Sequence, residues 1–293
     1  MILIIGASGA VGVPTVRQLV RRGARVRALT SNATSAARLK SLGVAETQVG
    51  DFRSDADVRR AIDGARSVLH IPPRFTEDEA AIGLRVVAAA RAAGVEHLVF
   101  SSVFHPQMRK MDHHWSKLLV EEAVIESGIP FTIVQPAMFM QNIGVEWPAI
   151  RDTGVYVRPY SPDRKMALID TDDLGEAIAI VLTERGYRGA TFELAGSDSL
   201  THSEMAAIIS EEWKRPVRAA KRDPQEWAAS ARERNWKPWS IEAYLKMCAH
   251  YDAHGYPGGN PLVLATILGR SPGGYRAFVR RFLAEEANPR AAR

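Results

Sequence analysis

Short apolar runs alternate with longer amphipathic segments along the first half of the chain. The runs are apolar on consecutive positions, which is typical of strands buried on both faces of a parallel sheet. The pattern predicts strands at 2–5, 25–29, 46–49, 67–71, 97–102 and 131–134. It predicts helices at about 12–22, 35–41 and 54–64, a long one ending at Ala93, and one containing residues 110–119. Strands separated by helices indicate a doubly wound α/β fold with a parallel Rossmann sheet.

The pattern changes near Met138, after which Trp, Tyr, Pro and Met become more frequent. Four of the six tryptophans fall between Trp213 and Trp239, and residues 204–213 and 239–255 are predicted helices. We therefore expect a Rossmann domain at 1–137, with its sheet completed by 190–196. Residues 138–293 are expected to form a smaller, mainly helical substrate-binding region, with most of its aromatic side chains in a core.

Composition excludes several classes of protein. With 46% hydrophobic residues, the chain can bury a full core. Its single cysteine, Cys248, excludes a disulfide framework and a cysteine-based zinc site, and we expect no bound metal. No apolar stretch approaches the roughly 18 residues that would cross a bilayer. Because a strand-like run begins at Ile2, we expect no cleavable signal and a cytoplasmic location.

The net charge of +5 is unevenly distributed. Residues 1–45 hold seven basic side chains and no acidic one. Such a segment attracts nucleic acid or phosphate, but Arg17, Arg21 and Arg22 are equally well explained as a solvated helix face. Since no nucleic-acid motif accompanies the charge, we expect a small-molecule substrate, no nucleic-acid partner, and a monomer or homodimer.

A glycine-rich stretch, IIGASGAVG, follows the first strand and opens the first helix. A sharp turn, close approach of a diphosphate and tight helix–strand packing each favour a residue without Cβ. The free N–H groups at the helix start would bind the phosphates. We predict dinucleotide binding here, by Gly6, Ser8, Gly9, Ala10, Val11 and Gly12.

The end of the second strand indicates which dinucleotide is preferred. Sites for NAD carry an acidic residue about 20 residues beyond the glycines, whereas this chain has Thr30-Ser31-Asn32. These donors suit a 2′-phosphate, so NADP (NADPH) is favoured over NAD, with Arg38 or Lys40 as further candidates. After the third strand, Asp51 with Phe52 is the expected adenine contact, or Asp51 caps a turn.

The sequence resembles the NmrA-like branch of the atypical short-chain dehydrogenase/reductases. The resemblance rests on GASGAVG at the start, GD at 50–51, FSS at 100–102, SK at 116–117, ESGIPFTIVQPAMFMQN at 126–142, FELAG at 192–196 and LGR at 268–270. It implies an NAD(P)-binding Rossmann domain and a small C-terminal substrate region. Members of this family include reductases of quinones, aromatic or unsaturated compounds, and proteins that bind NAD(P) without turnover as redox sensors.

The resemblance also implies residue roles near the nicotinamide. The superfamily uses Tyr-x-x-x-Lys with a serine, but no tyrosine precedes Tyr156 here. The spacing survives as His113 and Lys117, and the serine position falls at Ser101, beside Ser102. Lys117 is therefore an expected cofactor contact and catalytic residue.

Two further strand ends are expected beside the nicotinamide. Pro136 matches the family's proline on that side, whereas Gln135 departs from the arginine common before it. Ile71, Pro72 and Pro73 follow the fourth strand, where the chain passes the cofactor.

The proton donor is left open between two mechanisms. In one, His113 or His114 donates the proton, since an unperturbed histidine pKa of about 6.5 suits transfer near neutrality. In the other, water supplies it and the site acts by positioning. Against both, Asp112 could cap the helix, with the histidines simply in its first turn. Adjacent histidines diverge on a helix, which disfavours a metal site.

The substrate pocket is expected between three loops, at 71–75, 102–108 and 137–142. Met138 and Phe139 suggest an apolar substrate, although helix–sheet packing explains them equally well, and His105 is a polar candidate. The sequence therefore predicts an NADPH-dependent reductase of a small apolar carbonyl, quinone or enone. The alternative is a non-catalytic NADP(H) sensor acting through a protein partner; an epimerase or lyase that uses bound cofactor ranks last.

Overall fold

A computed structural model describes residues 1–288 as an α/β protein built around a seven-stranded parallel sheet. The strands of this sheet are β1 (Ile2–Ile5), β2 (Val26–Thr30), β3 (Glu46–Val49), β4 (Ser67–His70), β5 (His97–Ser101), β6 (Phe131–Pro136) and β10 (Ala190–Leu194). Their spatial order is β3-β2-β1-β4-β5-β6-β10, and all the pairs are parallel. The order reverses between β1 and β4, which is where ligands bind in open α/β sheets.

Helices cover both faces of this sheet. They are α1 (Gly12–Arg21), α2 (Ala33–Ser41), α3 (Asp55–Ile62), α4 (Glu79–Ala92), α5 (Asp112–Glu126) and α7 (Thr171–Thr183). Side chains of a strand point alternately to opposite faces. Ile4 packs in the core shared with α1, α2 and α7, whereas Leu3 and Ile5 pack in the core shared with α3, α4 and α5. The predicted doubly wound Rossmann fold is confirmed.

The remaining elements surround the carboxyl end of β6 and the C-terminal part of the chain. They are β7 (Met138–Phe139), a 3₁₀ turn (Met140–Asn142), α6 (Ile143–Thr153), β8 (Val155–Arg158), β9 (Met166–Ile169), β11 (Ser199–Leu200), α8 (His202–Trp213), β12 (Arg218–Lys221), α9 (Pro224–Glu233), α10 (Pro238–His254), α11 (Pro261–Leu268) and α12 (Tyr275–Ala287). The strands form two small sheets, β11-β9-β7 and β12-β8. The region is thus helical with two small sheets added.

Two elements beyond residue 137 return to the Rossmann layers. Strand β10 completes the sheet beside β6, and α7 packs against α1. The two helices approach closely at Gly175, where a Cβ would lie 2.7 Å from the backbone nitrogen of Thr15. A division of the chain at residue 137 stays a prediction. Within residues 1–288, no helix has the length and apolarity needed to span a membrane.

The start of α5 differs from the expected cap. The helix begins at Asp112 itself, and the preceding Met111 occupies the cap position without a side-chain bond. The Asp112 carboxylate accepts a hydrogen bond from Lys246 of α10 at 3.0 Å. The proposed Asp112 cap is wrong, because this side chain connects α5 to the C-terminal region.

Candidate cofactor and substrate site

The glycine loop between β1 and α1 is packed too tightly for side chains at two positions. Gly6 has φ +92°, and a Cβ there would lie 2.5 Å from the carbonyl oxygen of Ile71. A Cβ on Gly12 would lie 2.5 Å from the carbonyl oxygen of Ala7. The loops that follow β1 and β4 therefore touch, and neither glycine tolerates a side chain without a backbone shift.

The outer part of this loop presents backbone to solvent. Ser8, Gly9 and Ala10 are exposed, whereas Val11 and Gly12 are buried. Among the described residues, no acceptor is bonded to the N–H groups of Ala10, Val11 and Gly12. Unbonded amides at a helix start, under a positive helix dipole, fit a dinucleotide diphosphate.

Gly9 and Gly12 should respond differently to alanine. A Cβ at Gly9 meets only the Gly6 carbonyl oxygen, at 3.4 Å, so Gly9→Ala should keep the unfolding free energy within about 0.5 kcal/mol. It should nevertheless weaken NADPH binding, because the added methyl group faces the phosphates. Gly12→Ala should lower both, with about 1–3 kcal/mol of lost stability from overpacking.

Urea unfolding and fluorescence titration with NADPH measure the two effects. Gly144→Ala is the control, since its Cβ would be 4.0 Å from the nearest atom, in Phe282. Unchanged NADPH affinity in folded Gly9→Ala would contradict placement of the diphosphate at this loop.

The predicted ribose contacts at the end of β2 are not equally available to bind a ligand. The Thr30 hydroxyl is buried without a hydrogen-bond partner, and Ser31 is exposed. Asn32 caps α2, since its Oδ1 accepts the Ser35 N–H at 2.8 Å, and its amide NH₂ donates to the Ser31 hydroxyl at 3.2 Å. Arg38 and Lys40 lie about 9 and 12 Å farther along the α2 axis. Their distance from the strand end disfavours the suggested contact with a 2′-phosphate.

The expected adenine contact lies in a turn after β3 that two hydrogen bonds stabilise. The Asp51 carboxylate accepts the N–H of Arg53 at 2.9 Å, as in the turn-capping alternative. The Asp51 N–H donates in turn to Asp57 at 2.9 Å, and Asp51 itself remains exposed. Phe52 is half-buried, with the Arg53 guanidinium 5.0 Å above its ring. An exposed carboxylate beside an aromatic ring remains compatible with adenine.

The predicted nicotinamide-side residues lie at neighbouring strand ends. Pro72 and Pro73 follow β4 and are half-buried, Ser101 ends β5, and Pro136 ends β6. Parallel strands end at the same edge of a sheet, so these residues line one edge together with the glycine loop.

A buried carboxylate lies behind the end of β6. Gln135 donates from Nε2 to both carboxylate oxygens of Glu121, each at 2.9 Å. Burial raises the pKa of Glu121. Gln135 thus supplies hydrogen bonds to the Glu121 carboxylate but no positive charge. An arginine at this position would supply both.

Lys117 is buried and paired with a carboxylate that sequence reasoning missed. Its Nζ donates to Oε1 of Glu79, in the first turn of α4, and Glu79 is fully buried. The other oxygen of Glu79 has no partner in the described chain. Burial raises the pKa of Glu79, and the Lys117 ammonium opposes that rise. The pairing orients Lys117 and competes with any cofactor hydroxyl for its protons.

The two histidines of α5 are buried rather than solvated. The His114 ring, through Nδ1, is 3.0 Å from the carbonyl oxygen of His105, so Nδ1 carries the proton. The Nδ1 atom of His113 is buried without a partner. Burial lowers the pKa of His113 well below its usual value, helped by His114 and Lys117, and lowers that of His114 to about 3. An imidazolium donor near neutrality, the premise of the first mechanism, is therefore disfavoured.

Aromatic side chains close the region beside His113. Phe75, with φ +52°, lies 4.6 Å from the His113 ring and 5.5 Å from the Tyr244 ring of α10. Its carbonyl oxygen accepts the Ser240 hydroxyl at 2.6 Å. Loop 71–75 is thus held by both α5 and α10.

The predicted substrate residues occupy two different places. Met138 and Phe139 are half-buried in β7, where they pair with β9 and extend the core. His105 lines a cavity of about 560 Å³, together with residues 107–110 and the end of α10. The structure therefore does not bring His105 into contact with His113; His114 lies between them.

A second cavity, of about 750 Å³, opens at the other edge of the sheet. It is bounded by Met1, Ser67 and His97 at the amino ends of β1, β4 and β5. Ligands of this fold bind at the carboxyl ends, and no predicted site residue lines this cavity, so it is not the candidate site.

A comparison with models of known protein families identifies the family of this chain. A model of the NmrA-like family matches residues 1–230. The chain belongs to the NmrA-like family. Among curated proteins, it is 31% identical to an NAD(P)H azoreductase of Xenophilus azovorans over 220 residues, which is 74% of this chain and 76% of that protein.

Two further comparisons extend the NmrA-like match. The chain is 34% identical to a (4-alkanoyl-5-oxo-2,5-dihydrofuran-3-yl)methyl phosphate reductase of Streptomyces griseus over 223 residues, covering 74% of this chain and 76% of that one. Among solved structures, the NADPH complex of the Escherichia coli quinone oxidoreductase QOR2 superposes with a TM-score of 0.84 at 22% identity. That match covers 97% of this chain and 100% of the other, and it shows the shared fold.

Proposed function

We propose that this NmrA-like protein is a reductase that uses NADPH in preference to NADH and reduces a small apolar carbonyl, quinone or enone. The observation that supports it most is the common edge of the sheet. There the unbonded amides of residues 10–12 follow β1, and the buried Lys117 lies in α5, the helix that follows β5. Two relatives, named as an NAD(P)H azoreductase and a (4-alkanoyl-5-oxo-2,5-dihydrofuran-3-yl)methyl phosphate reductase, support a reductase function.

The residues at this edge of the sheet bind and orient the cofactor in the proposed reaction. NADPH, when bound, would supply a hydride. Residues 8–12 hold its diphosphate, Thr30 and Ser31 favour a 2′-phosphate by donating to it, and Lys117 with Ser101 and Pro136 orients its nicotinamide half. His113 stays neutral and shapes the pocket, and solvent would supply the proton that the reduced product requires. Catalysis then comes mainly from positioning.

A second candidate is a non-catalytic NADP(H) sensor that acts through a protein partner. Two observations favour it: the Lys117 ammonium is already bound by Glu79, and no tyrosine precedes Tyr156. A site without a strong proton donor suits binding without turnover.

Cofactor oxidation distinguishes the two candidates. The purified protein is mixed with NADPH and a panel of quinones and enones, and absorbance of the reduced nicotinamide is followed. The reductase proposal predicts oxidation with at least one quinone, and tighter binding of NADPH than of NADH in a fluorescence titration. Tight binding of both redox forms with no oxidation across the panel would establish the sensor instead.

A further inference from the structure

Two guanidinium groups meet at one residue beside the predicted pocket. Arg74, in the loop after β4, donates from Nη1 to Oδ1 of Asn142 at 3.4 Å. Arg158, at the end of β8, donates from Nη2 to the backbone carbonyl of the same Asn142 at 3.3 Å. Asn142 ends the 3₁₀ turn that follows Met138 and Phe139. Two cations therefore flank the segment predicted to line the substrate pocket.

Only part of this positive charge is neutralised. Arg158 is 9% exposed, and its Nη1 lies 3.1 Å from Oε1 of Glu146. Within residues 1–288, no other carboxylate forms an ion pair with Arg158, and none pairs with Arg74. Two positive charges facing one negative charge leave an excess of +1. The Nε of Arg158 is also buried without a hydrogen-bond partner, and an unsatisfied buried donor is costly.

Arg74 is exposed to solvent although protein surrounds much of its side chain. Burial and the nearby Arg158 lower the pKa of Arg74. The two guanidinium groups are therefore close enough for their charges to repel each other. An anion bound by Arg74 would relieve the repulsion between the two guanidinium groups and accept the free N–H donors of Arg74.

Arg74 adjoins a cluster of aromatic side chains in the candidate site. Phe75, the next residue along the chain, contacts the His113 ring at 4.6 Å and the Tyr244 ring at 5.5 Å. Trp236 lies 6.4 Å from the same Phe75 ring. Phe75 and Trp236 are half-buried, so a flat apolar body packed on their accessible parts would place an attached charged group near Arg74.

We propose that the substrate of this protein carries an anionic group, a carboxylate, sulfonate or phosphate ester, on a flat apolar body, and that Arg74 binds this group with Arg158 behind it. The planar guanidinium of Arg74 suits two-point contact with such oxyanions. Glu146 and Asn142 hold Arg158 in place. The assignment of the reducible part of the molecule rests on the proposed function; the anion site itself does not.

Two ligands that share a ring system test the site without turnover. Anthraquinone-2-sulfonate and neutral 2-(hydroxymethyl)anthraquinone are titrated into the protein at low ionic strength, with and without NADP⁺, and tryptophan fluorescence is followed. We expect about tenfold tighter binding of the sulfonate. Arg74→Met should abolish this preference and keep the affinity for the neutral quinone, since Arg74 is exposed and the variant should fold.

Arg185→Met is the matched control. Arg185 is also exposed but lies at the amino-end edge of the sheet, so this variant loses the same charge and should keep the preference. Equal binding of the two quinones by the unmodified protein, or a preference that survives in Arg74→Met, would overturn the anion site. Displacement of the sulfonate by equimolar inorganic sulfate would also overturn the substrate class, because the ring would then contribute nothing.

The test of the anion site and the test of the reductase activity can fail independently of each other. Sulfonate-selective binding that depends on Arg74, without NADPH oxidation by any quinone, would keep the anion site and remove the reductase. Oxidation of NADPH without any sulfonate preference would do the reverse.

Discussion

Acidification from about pH 7.5 to about pH 5.5 should remove roughly 5 kcal/mol of unfolding free energy, about 1 kcal/mol for each of five buried histidines. Burial lowers the pKa of each one, to about 3 or 4 where a value is resolved and well below normal for His113. They are His70, His97, His113, His114 and His202. Unfolded histidines bind protons from about pH 6.5 downward, so the stability present above that pH is lost as the pH falls toward 3–4.

Urea unfolding at several pH values measures this loss. Burial raises the pKa of Glu79 and Glu121, so these two carboxyls oppose the trend at lower pH as they protonate in the folded protein. His97→Gln keeps a donor for the Thr132 hydroxyl, 2.9 Å from His97 Nε2, and should reduce the slope by about one proton. His254→Gln, at an exposed position, should not. A flat profile between the two pH values would show that these imidazoles are not buried.

Lys117→Met should cost about 3–5 kcal/mol of stability, because it leaves the fully buried Glu79 without its cation. Glu79→Gln should cost a similar amount by leaving the ammonium unpaired. The double variant should be much more stable than the sum of the single effects implies, since no unpaired charge remains. Urea unfolding near neutral pH gives all three values.

NADPH affinity separates the structural role of Lys117 from its role in binding. If Lys117 contacts the cofactor, the double variant should fold well and bind NADPH weakly, whereas Glu79→Gln should keep or improve affinity. Lys110→Met, at an exposed lysine seven residues earlier, is the control and should change neither quantity. Full NADPH affinity in the double variant would remove Lys117 from the site.

The sheet and its glycine loop could be predicted because their causes are local. Consecutive apolar residues and intervening helical segments predicted β1–β6 and α1–α5. The tight turn after β1, which leaves no room for a Cβ, made Gly6 and Gly12 recognisable. The four-residue spacing of His113 and Lys117 correctly indicated one shared helix face, and both are buried.

The partners of these residues could not be predicted, because they come from distant parts of the chain. Glu79 follows other acidic residues at a helix start, where carboxylates are ordinary, and its burial arises only when α4 packs against α5. Arg158 is far in sequence from Arg74, and nothing local distinguishes it from surface arginines. The histidine pKa values likewise depend on burial, which the assumed value of about 6.5 ignored.

The hydrogen bonds from α10 to the Phe75 loop and to α5 suggest how substrate selectivity could diverge among relatives. Ser240 and Lys246 reach the Phe75 carbonyl and Asp112, yet α10 lies beyond the family match, which ends at residue 230. New compounds could therefore be accommodated during evolution by exchanging this one C-terminal segment while the nucleotide half is inherited unaltered. We expect that exchanging residues 238–254 between homologues would transfer substrate selectivity.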